Sequence, residues 1–351
     1  MPVGLALVQE QYDVPLAPLT TFRLGGPAGT LVEAASETDI VAAVRIADAA
    51  GSPLLLLGGG SNLVLADQGW PGLTVLLRSR GVQRRRDGDR VLLTVPAGEP
   101  WDELVAGAVA DGLSGIEALS GIPGLSGATP VQNVGAYGQE VAETITGVTV
   151  WDRYRAETCR LSTVDCEFAY RTSLFKHTDR YVVLSVEFVL EPSPLSTPVR
   201  YAELARTLGV AVGDRAKLAD VRAAVLDLRR GKGMVLDPAD HDTWSAGSFF
   251  TNPVLSTVDE FESRVDGAYP SWPADGGTKL SAAWLIEHAG FPKGYARGPV
   301  ALSGKHTLAL TNRGGATTAD LLALAREIRA GVLDRFGVTL HPEPRLVGVE
   351  F

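Results

Sequence analysis

Apolar and polar positions change period several times along the chain, and each change predicts an element. Thr30 to Ala34 reads as a short apolar strand. Ser36 then offers an N-cap with Asp39 three residues on, as in a capping box. Ile40, Val41, Val44 and Ala47 follow at helical spacing, and Gly51 ends the helix. Pro53 to Leu57 is a continuous apolar run, as in a strand buried on both faces, and it empties into Gly58-Gly59-Gly60-Ser61-Asn62. Arg84 to Arg90, with Asp87-Gly88 inside it, reads as a polar hairpin leading into a strand from Val91 to Val95. A helix opens near Glu99 and Trp101 and ends around Gly112. Beyond the glycine-rich stretch Gly121 to Gly138 the pattern is β-rich through Leu190, and Pro192 to Pro198 is a loop.

The character shifts again from about Val221. Arg229, Arg230 and Lys232 form a small basic cluster, and a polar loop runs on to Trp244. Lys279 to His288 predicts a helix closed by Gly290. Thr317 or Thr318 caps a long helix from Ala319 to about Phe336, ended by Gly337. Val338 to Leu340 and Leu346 to Phe351 are the last strand candidates. The class is α+β with mixed sheets, and a length of 351 residues suggests two or three domains.

Composition narrows the function classes. Hydrophobic residues at 45% and charged residues at 21% suffice for a globular core. A net charge of -9 argues against a broad nucleic-acid footprint while leaving room for a basic pocket. The two cysteines, Cys159 and Cys166, lie in one short stretch with no His or Cys pair at metal-ligand spacing, so neither a zinc site nor a disulfide scaffold is expected. The N-terminal run MPVGLALVQEQYDVPLAP lacks a basic start and is not expected to be a secretory signal. No window approaches the ~18 uninterrupted apolar residues of a membrane span.

Glycine carries the first chemistry. The dinucleotide fingerprint G-x-G-x-x-G is absent after the first buried strand, which disfavours a Rossmann-type site. Gly304-Lys305-His306 has His306 where a phosphate loop needs Ser or Thr. Two glycine-rich turns remain, and successive backbone N–H groups in such turns form anion nests that hold a pyrophosphate. The stretch from Gly121 to Gly138 has five glycines in 18 residues, two prolines and no charge. That composition suits a wall against a large planar, phosphate-bearing ligand. On glycine content alone, two tight turns between buried strands fit equally well.

The segments TTFRLGG, LGGGSNLVL, SGIPGLSGATPVQNVGAYGQEV, YRTSLFK, SAGSFFTNP, KLSAAWLIEHAGFPKG and HPEPRLVG occur in this order. Together they resemble the UDP-N-acetylenolpyruvoylglucosamine reductase (MurB) family of peptidoglycan synthesis, in the longer form with a substrate-covering tyrosine loop. The resemblance runs from about Thr20 to Gly348. It implies three domains: 1–78 and 79–220 together holding FAD, and 221–336 closing over substrate, with 337–351 returning to the first. It also implies a cytoplasmic monomer acting on a small UDP-sugar with NADPH as reductant, without a metal, nucleic acid or membrane. Gly58, Gly59, Gly60, Ser61 and Asn62 would form one FAD wall. Ile122, Pro123, Gly124, Gly127, Ala128, Asn133, Gly135, Ala136 and Gly138 would form the other.

By the same resemblance three residues react. Ser248 protonates the substrate carbon next to the one that takes the hydride. Glu343 stabilises or protonates the enol intermediate, for which burial should raise its pKa above the usual ~4.3. Arg171 binds the carboxylate and spreads the developing charge. From the residues alone, Ser248 is a turn residue or helix cap, Glu343 an exposed residue in a proline-fixed loop, and Arg171 a salt-bridge partner. Tyr170, Tyr201, Lys232 and Asn252 resemble substrate contacts. The segment after Lys232 is longer than the family's usual spacing, which leaves Arg230 as its alternative. His177, His241, His288, His306 and His341 form no ligand set by spacing and read as surface or structural residues. Two other readings stay open: another FAD-linked oxidase or dehydrogenase of the same fold acting on a hydroxy acid or alcohol, and a non-catalytic nucleotide-sugar binder.

Overall fold

The computed structural model describes residues 9–176 and 178–351. His177 and the first eight residues of the run read against a secretory signal lie outside the described residues. The chain forms two compact units, one from the described part of Met1–Val14 with Ala28–Gly59 and Pro71–Arg230, the other from Pro15–Pro27, Gly60–Trp70 and Gly231–Phe351.

The first unit carries a short two-stranded sheet, Gly135–Ala136 with Gln139–Glu140, and two larger sheets. One has the strand order Gln11–Pro15, Pro27–Ala34, Trp70–Leu77, Leu54–Leu57, and its last pair is parallel. Between two of its strands runs the helix Glu37–Ala50, where Ser36 Oγ accepts the Asp39 N–H at 3.1 Å, as the pattern predicts. Leu54–Leu57 alternates half-buried and buried positions instead of being buried on both faces. The other sheet is antiparallel, in the order Glu157–Ser162, Ile145–Asp152, Tyr181–Pro192, Arg90–Pro96, Gln83–Asp87. Gly88 and Asp89 make the two-residue turn of its terminal hairpin.

On this sheet lies the helix Trp101–Ala110, whose Trp101 is buried with its ring 5.7 Å from that of Phe188 and its indole N–H donating to the Leu119 carbonyl at 3.0 Å. The helix Leu218–Gly231 turns Leu218, Val221, Ala224, Val225 and Arg229 inward. Two further buried groups mark this unit. Asp152 accepts the Arg180 guanidinium at 2.5 Å, which with nearby backbone N–H groups holds its carboxyl down at about 2. Burial pushes the Cys166 thiol up to about 12, and both cysteines are free thiols.

The second unit packs its core of Phe22, Phe249, Phe250, Leu321, Ile328 and Phe336 around the helix Thr318–Phe336. Thr317 caps that helix with a full capping box to Asp320. A second carboxylate joins from far along the chain: Asp67 accepts the N–H groups of Thr318 at 2.7 Å and Ala319 at 3.0 Å, complementing the positive helix terminus. The strand Arg345–Val347 runs parallel to Leu63–Leu65.

Three expectations need correction here. Residues 277–280 are a strand, the middle one of three, and the helix begins only at Ala282, because Ser281 Oγ takes the Trp284 N–H. Val338 and Leu340 are buried but the segment forms no strand, so burial and not ladder pairing is what its apolar positions encode. The final strand covers only Arg345–Val347.

Candidate active site

In the first unit the two glycine turns meet. A Cβ built on Gly59 would stand 2.7 Å from the Gly124 Cα, so the turns touch backbone to backbone and no side chain fits between them. The second turn is stitched to the start of the Trp101–Ala110 helix: Ser126 N–H donates to Glu99 O at 2.8 Å, Gly127 N–H to Ala97 O at 3.0 Å, and Trp101 N–H to Gly124 O at 3.1 Å. Gly127 lies so close to Ala97 that a Cβ would fall 2.4 Å from the alanine methyl. The Ser126 hydroxyl is fully buried and makes no hydrogen bond among the described residues. An uncharged backbone cradle of this kind fits a dinucleotide such as FAD. Gly58 and Gly59 belong to this unit, whereas Gly60, Ser61 and Asn62 belong to the second, where the Gly60 carbonyl accepts the Thr21 N–H and the Asn62 carbonyl the Arg345 N–H.

Asn133 is a keystone of the same segment. Its backbone is left-handed at φ 45°, and its buried side chain donates to Glu140 Oε2 at 2.7 Å and Ala169 O at 3.2 Å while accepting the Ala142 N–H. These bonds join the glycine stretch to the loop that carries Arg171. Arg171 is also left-handed, at φ 53°, which for a side chain of this size costs of order 1–3 kcal/mol. Its guanidinium donates to the Gly135 carbonyl at 2.7 Å and lies over the Tyr170 ring at 5.4 Å, while its own carbonyl accepts Lys176 Nζ. The other terminal nitrogen of the guanidinium donates to the Asn133 carbonyl at 3.5 Å.

The start of the stretch is charged from below. Gly121 N–H donates to Asp102 Oδ1 at 2.6 Å, and Arg222 binds the same carboxylate at 2.6 and 2.9 Å. Burial pushes the Asp102 carboxyl up, but Arg222 and the Gly121 N–H outweigh it and the net shift is downward. Arg229 is buried against Gly121, where burial lowers its pKa against the pull of Tyr137 and Asp102. Tyr137, pushed up to about 12 by burial, meets Tyr201 edge-on at 5.6 Å.

The basic cluster therefore sorts differently from the sequence reading. Arg230 points outward to Asp227 at 2.9 Å, and Arg229 is the inward residue. The signal was present: Val225 to Arg229 is a step of four on the apolar stripe of an amphipathic helix. Lys232 is half-buried in the second unit.

In the second unit one residue assembles three others. Phe249 is fully buried, its N–H donates to Leu308 O at 2.7 Å, and its carbonyl accepts the Glu343 N–H at 2.8 Å. Thr251 N–H continues the pairing to His341 O at 3.1 Å. Ser248 and Glu343 are thereby fixed on neighbouring backbones, and Ser248 Oγ lies 3.3 Å from His306 Nε2. His306 therefore belongs to this cluster, half-buried beside Ser248. Local spacing could not reveal it, because the contact spans 58 residues. Asn252 accepts the Ala282 N–H at 3.0 Å, so its side-chain oxygen helps cap a helix. Among the described residues there is no group of three or more His, Cys, Asp or Glu that could hold a metal, and no helix long and apolar enough to cross a membrane.

A glycine cradle laid on an antiparallel sheet defines a flavoprotein of the FAD-linked oxidase type, and residues 28–162 match the FAD binding domain family. The fold as a whole is shared with 6-hydroxy-D-nicotine oxidase from Arthrobacter nicotinovorans, at a TM-score of 0.52 and 17% identity over 97% of this chain and 88% of that one. Residues 237–347 match the C-terminal domain of UDP-N-acetylenolpyruvoylglucosamine reductase. The chain is 59% identical to the UDP-N-acetylenolpyruvoylglucosamine reductase of Thermobifida fusca, over 96% of this chain and 98% of that one. A solved UDP-N-acetylenolpyruvylglucosamine reductase from Thermus caldophilus superposes with a TM-score of 0.66 at 25% identity, covering 97% of this chain and 98% of that one. The chain belongs to the UDP-N-acetylenolpyruvoylglucosamine reductase family and is an FAD-dependent oxidoreductase.

Proposed function

We propose that this reductase converts UDP-N-acetyl-3-O-(1-carboxyvinyl)-glucosamine to UDP-N-acetylmuramate for peptidoglycan precursor synthesis, in the cytoplasm and with NADPH as reductant. The observation that carries the reading is the joint at Phe249, which fixes a hydroxyl and a carboxyl group on adjacent backbones. FAD, when bound, supplies hydride to the methylene carbon of the enolpyruvyl ether. Ser248 then gives its hydroxyl proton to the neighbouring carbon. Glu343 hydrogen-bonds the intermediate and stabilises it. Arg171 places its guanidinium on the substrate carboxylate, where charge accumulates. Its strained backbone supports a functional position, since such strain persists where the surroundings enforce a working geometry.

Tyr170, Tyr201, Lys232 and Asn252 hold the sugar nucleotide, with Arg230 the alternative to Lys232. Gly58 to Asn62 and Gly121 to Gly138 line the cofactor. The working domains are 1–78 with 337–351, 79–220 and 221–336. The test is a steady-state assay on purified yellow protein: NADPH oxidation should require the enolpyruvyl UDP-sugar under nitrogen. Oxidation that needs oxygen instead would overturn the reading.

A further inference from the structure

The Ser248–His306 contact poses a chemical question that Ser248 alone does not answer. A serine hydroxyl is a weak acid. If it protonates a carbon, the oxygen it leaves behind must recover a proton quickly. We propose that His306 is the positioning residue that restores this proton to Ser248. The inference rests on the reading of Ser248 as proton donor given above.

The geometry is built for it. His306 Nε2 lies 3.3 Å from Ser248 Oγ, within reach of direct transfer. The turn that carries the ring is fixed at several points. Ser303 Oγ accepts the N–H groups of Lys305 at 3.0 Å and His306 at 3.3 Å. The His306 carbonyl accepts the Ala309 N–H at 3.0 Å. Leu308 O takes the Phe249 N–H at 2.7 Å, so the turn and the Ser248 backbone are tied two residues from the ring. Asp242 Oδ1 holds the Gly304 N–H at 3.1 Å and Arg313 at 2.7 Å, and Lys305 pairs with Asp240.

The proton count closes. As the Ser248 O–H bond breaks and the new C–H bond forms, the His306 Nε2–H bond breaks and the O–H bond re-forms. The ring then takes a proton from water. The substrate gains one hydride and one proton in total, and no oxidant beyond the established reductase chemistry is needed. Imidazole suits the task because its ordinary pKa of ~6.5 lets it carry a proton near neutral pH. The charged groups on the elements joined to this turn are Lys305, Asp240, Asp242, Arg313, Glu343 and Glu287, the last accepting from Thr307 Oγ1. These groups carry both signs of charge, and the relay should fail at alkaline pH, where an imidazole has lost its extra proton.

The experiment reduces the FAD-loaded enzyme with NADPH without oxygen, then mixes it with the enolpyruvyl UDP-sugar and follows flavin reoxidation against pH. His306→Gln keeps a hydrogen-bonding group but cannot titrate. It should retain flavin and be reduced by NADPH at nearly the wild-type rate. Its reoxidation should be about 10- to 100-fold slower, at the low end of general acid–base effects, and without the alkaline fall of the wild type. Added imidazole should speed reoxidation of His306→Ala. Wild-type reoxidation by His306→Gln would overturn the proposal, as would a slow variant that keeps the wild-type pH profile while His306→Ala ignores imidazole. Should both variants lose flavin, the His306 ring can be titrated by NMR in wild type and Ser248→Ala, where unchanged titration also overturns it. A wild type that is reduced by NADPH but never reoxidised by the sugar nucleotide would instead sink the parent reading.

Discussion

The glycine cradle of the first unit and the Phe249 cluster of the second are built in opposite ways. The cradle is backbone on backbone: Gly59 against Gly124, Gly127 against Ala97, with the adjoining Asn133 spending its side chain on internal bonds. The cluster is side chains around one buried residue: two hydrogen bonds of Phe249 help tie together the backbones that carry Ser248, His306 and Glu343. Binding a large dinucleotide demands shape, which glycine provides by absence. Moving a proton demands particular atoms, which only side chains provide. The two regions should therefore fail differently, the first by losing cofactor and the second by losing turnover while staying yellow.

The largest effect should come from the second unit. Glu343→Ala should keep flavin and its reduction by NADPH, yet slow substrate-driven reoxidation by about 10²- to 10⁴-fold in stopped flow. Loss of flavin in this variant would break the contrast. Next, Gly127→Val in the first unit should cost about 1–3 kcal/mol through overpacking against Ala97, read as a lower denaturation midpoint and a colourless preparation. Arg171→Lys should reduce kcat/KM by about 10- to 100-fold with flavin content intact, because an ammonium cannot bind Gly135 O and a carboxylate in fork geometry together.

The smallest effect belongs to Asp152→Asn, in the sheet of the first unit and among the residues of neither site. The Asp152 carboxyl sits at about 2 in the fold against an ordinary 3.8, so its stabilisation is present above pH ~4 and is lost as pH falls toward 2. The variant should melt lower than wild type at neutral pH, and the two melting curves should converge near pH 2.

What was legible in the sequence was local. Ser36 with Asp39, the Gly88 turn and Thr317 with Asp320 are signals spanning a few residues, and the structure realises each. The glycine turns were legible because only glycine tolerates such close approach, and the family motifs supplied the chemistry around them. Contacts set by the fold were not legible. The Asp67 cap on the long helix reaches across 251 residues to Thr318, and no local period announces it. His306 is the clearest case, since its ring meets Ser248 across 58 residues, beside the Leu308–Phe249 backbone bond. Arg229 is intermediate: helical spacing marked it as inward, but its charge drew it into a cluster with its exposed neighbour. The strand at 277–280 was hidden because its residues run directly into a helix, and the boundary is set by the Ser281 cap.

The central claim, that Ser248 completes the reduction after hydride has arrived, is tested most directly by double-mixing stopped flow on wild type and Ser248→Ala. Each enzyme is bleached with one equivalent of NADPH under nitrogen and then mixed with the enolpyruvyl UDP-sugar. Both enzymes should bleach equally, oxidised flavin should return rapidly with UDP-N-acetylmuramate in the wild type, and the flavin of the variant should stay reduced. Recovery of Ser248→Ala at the wild-type rate would contradict it.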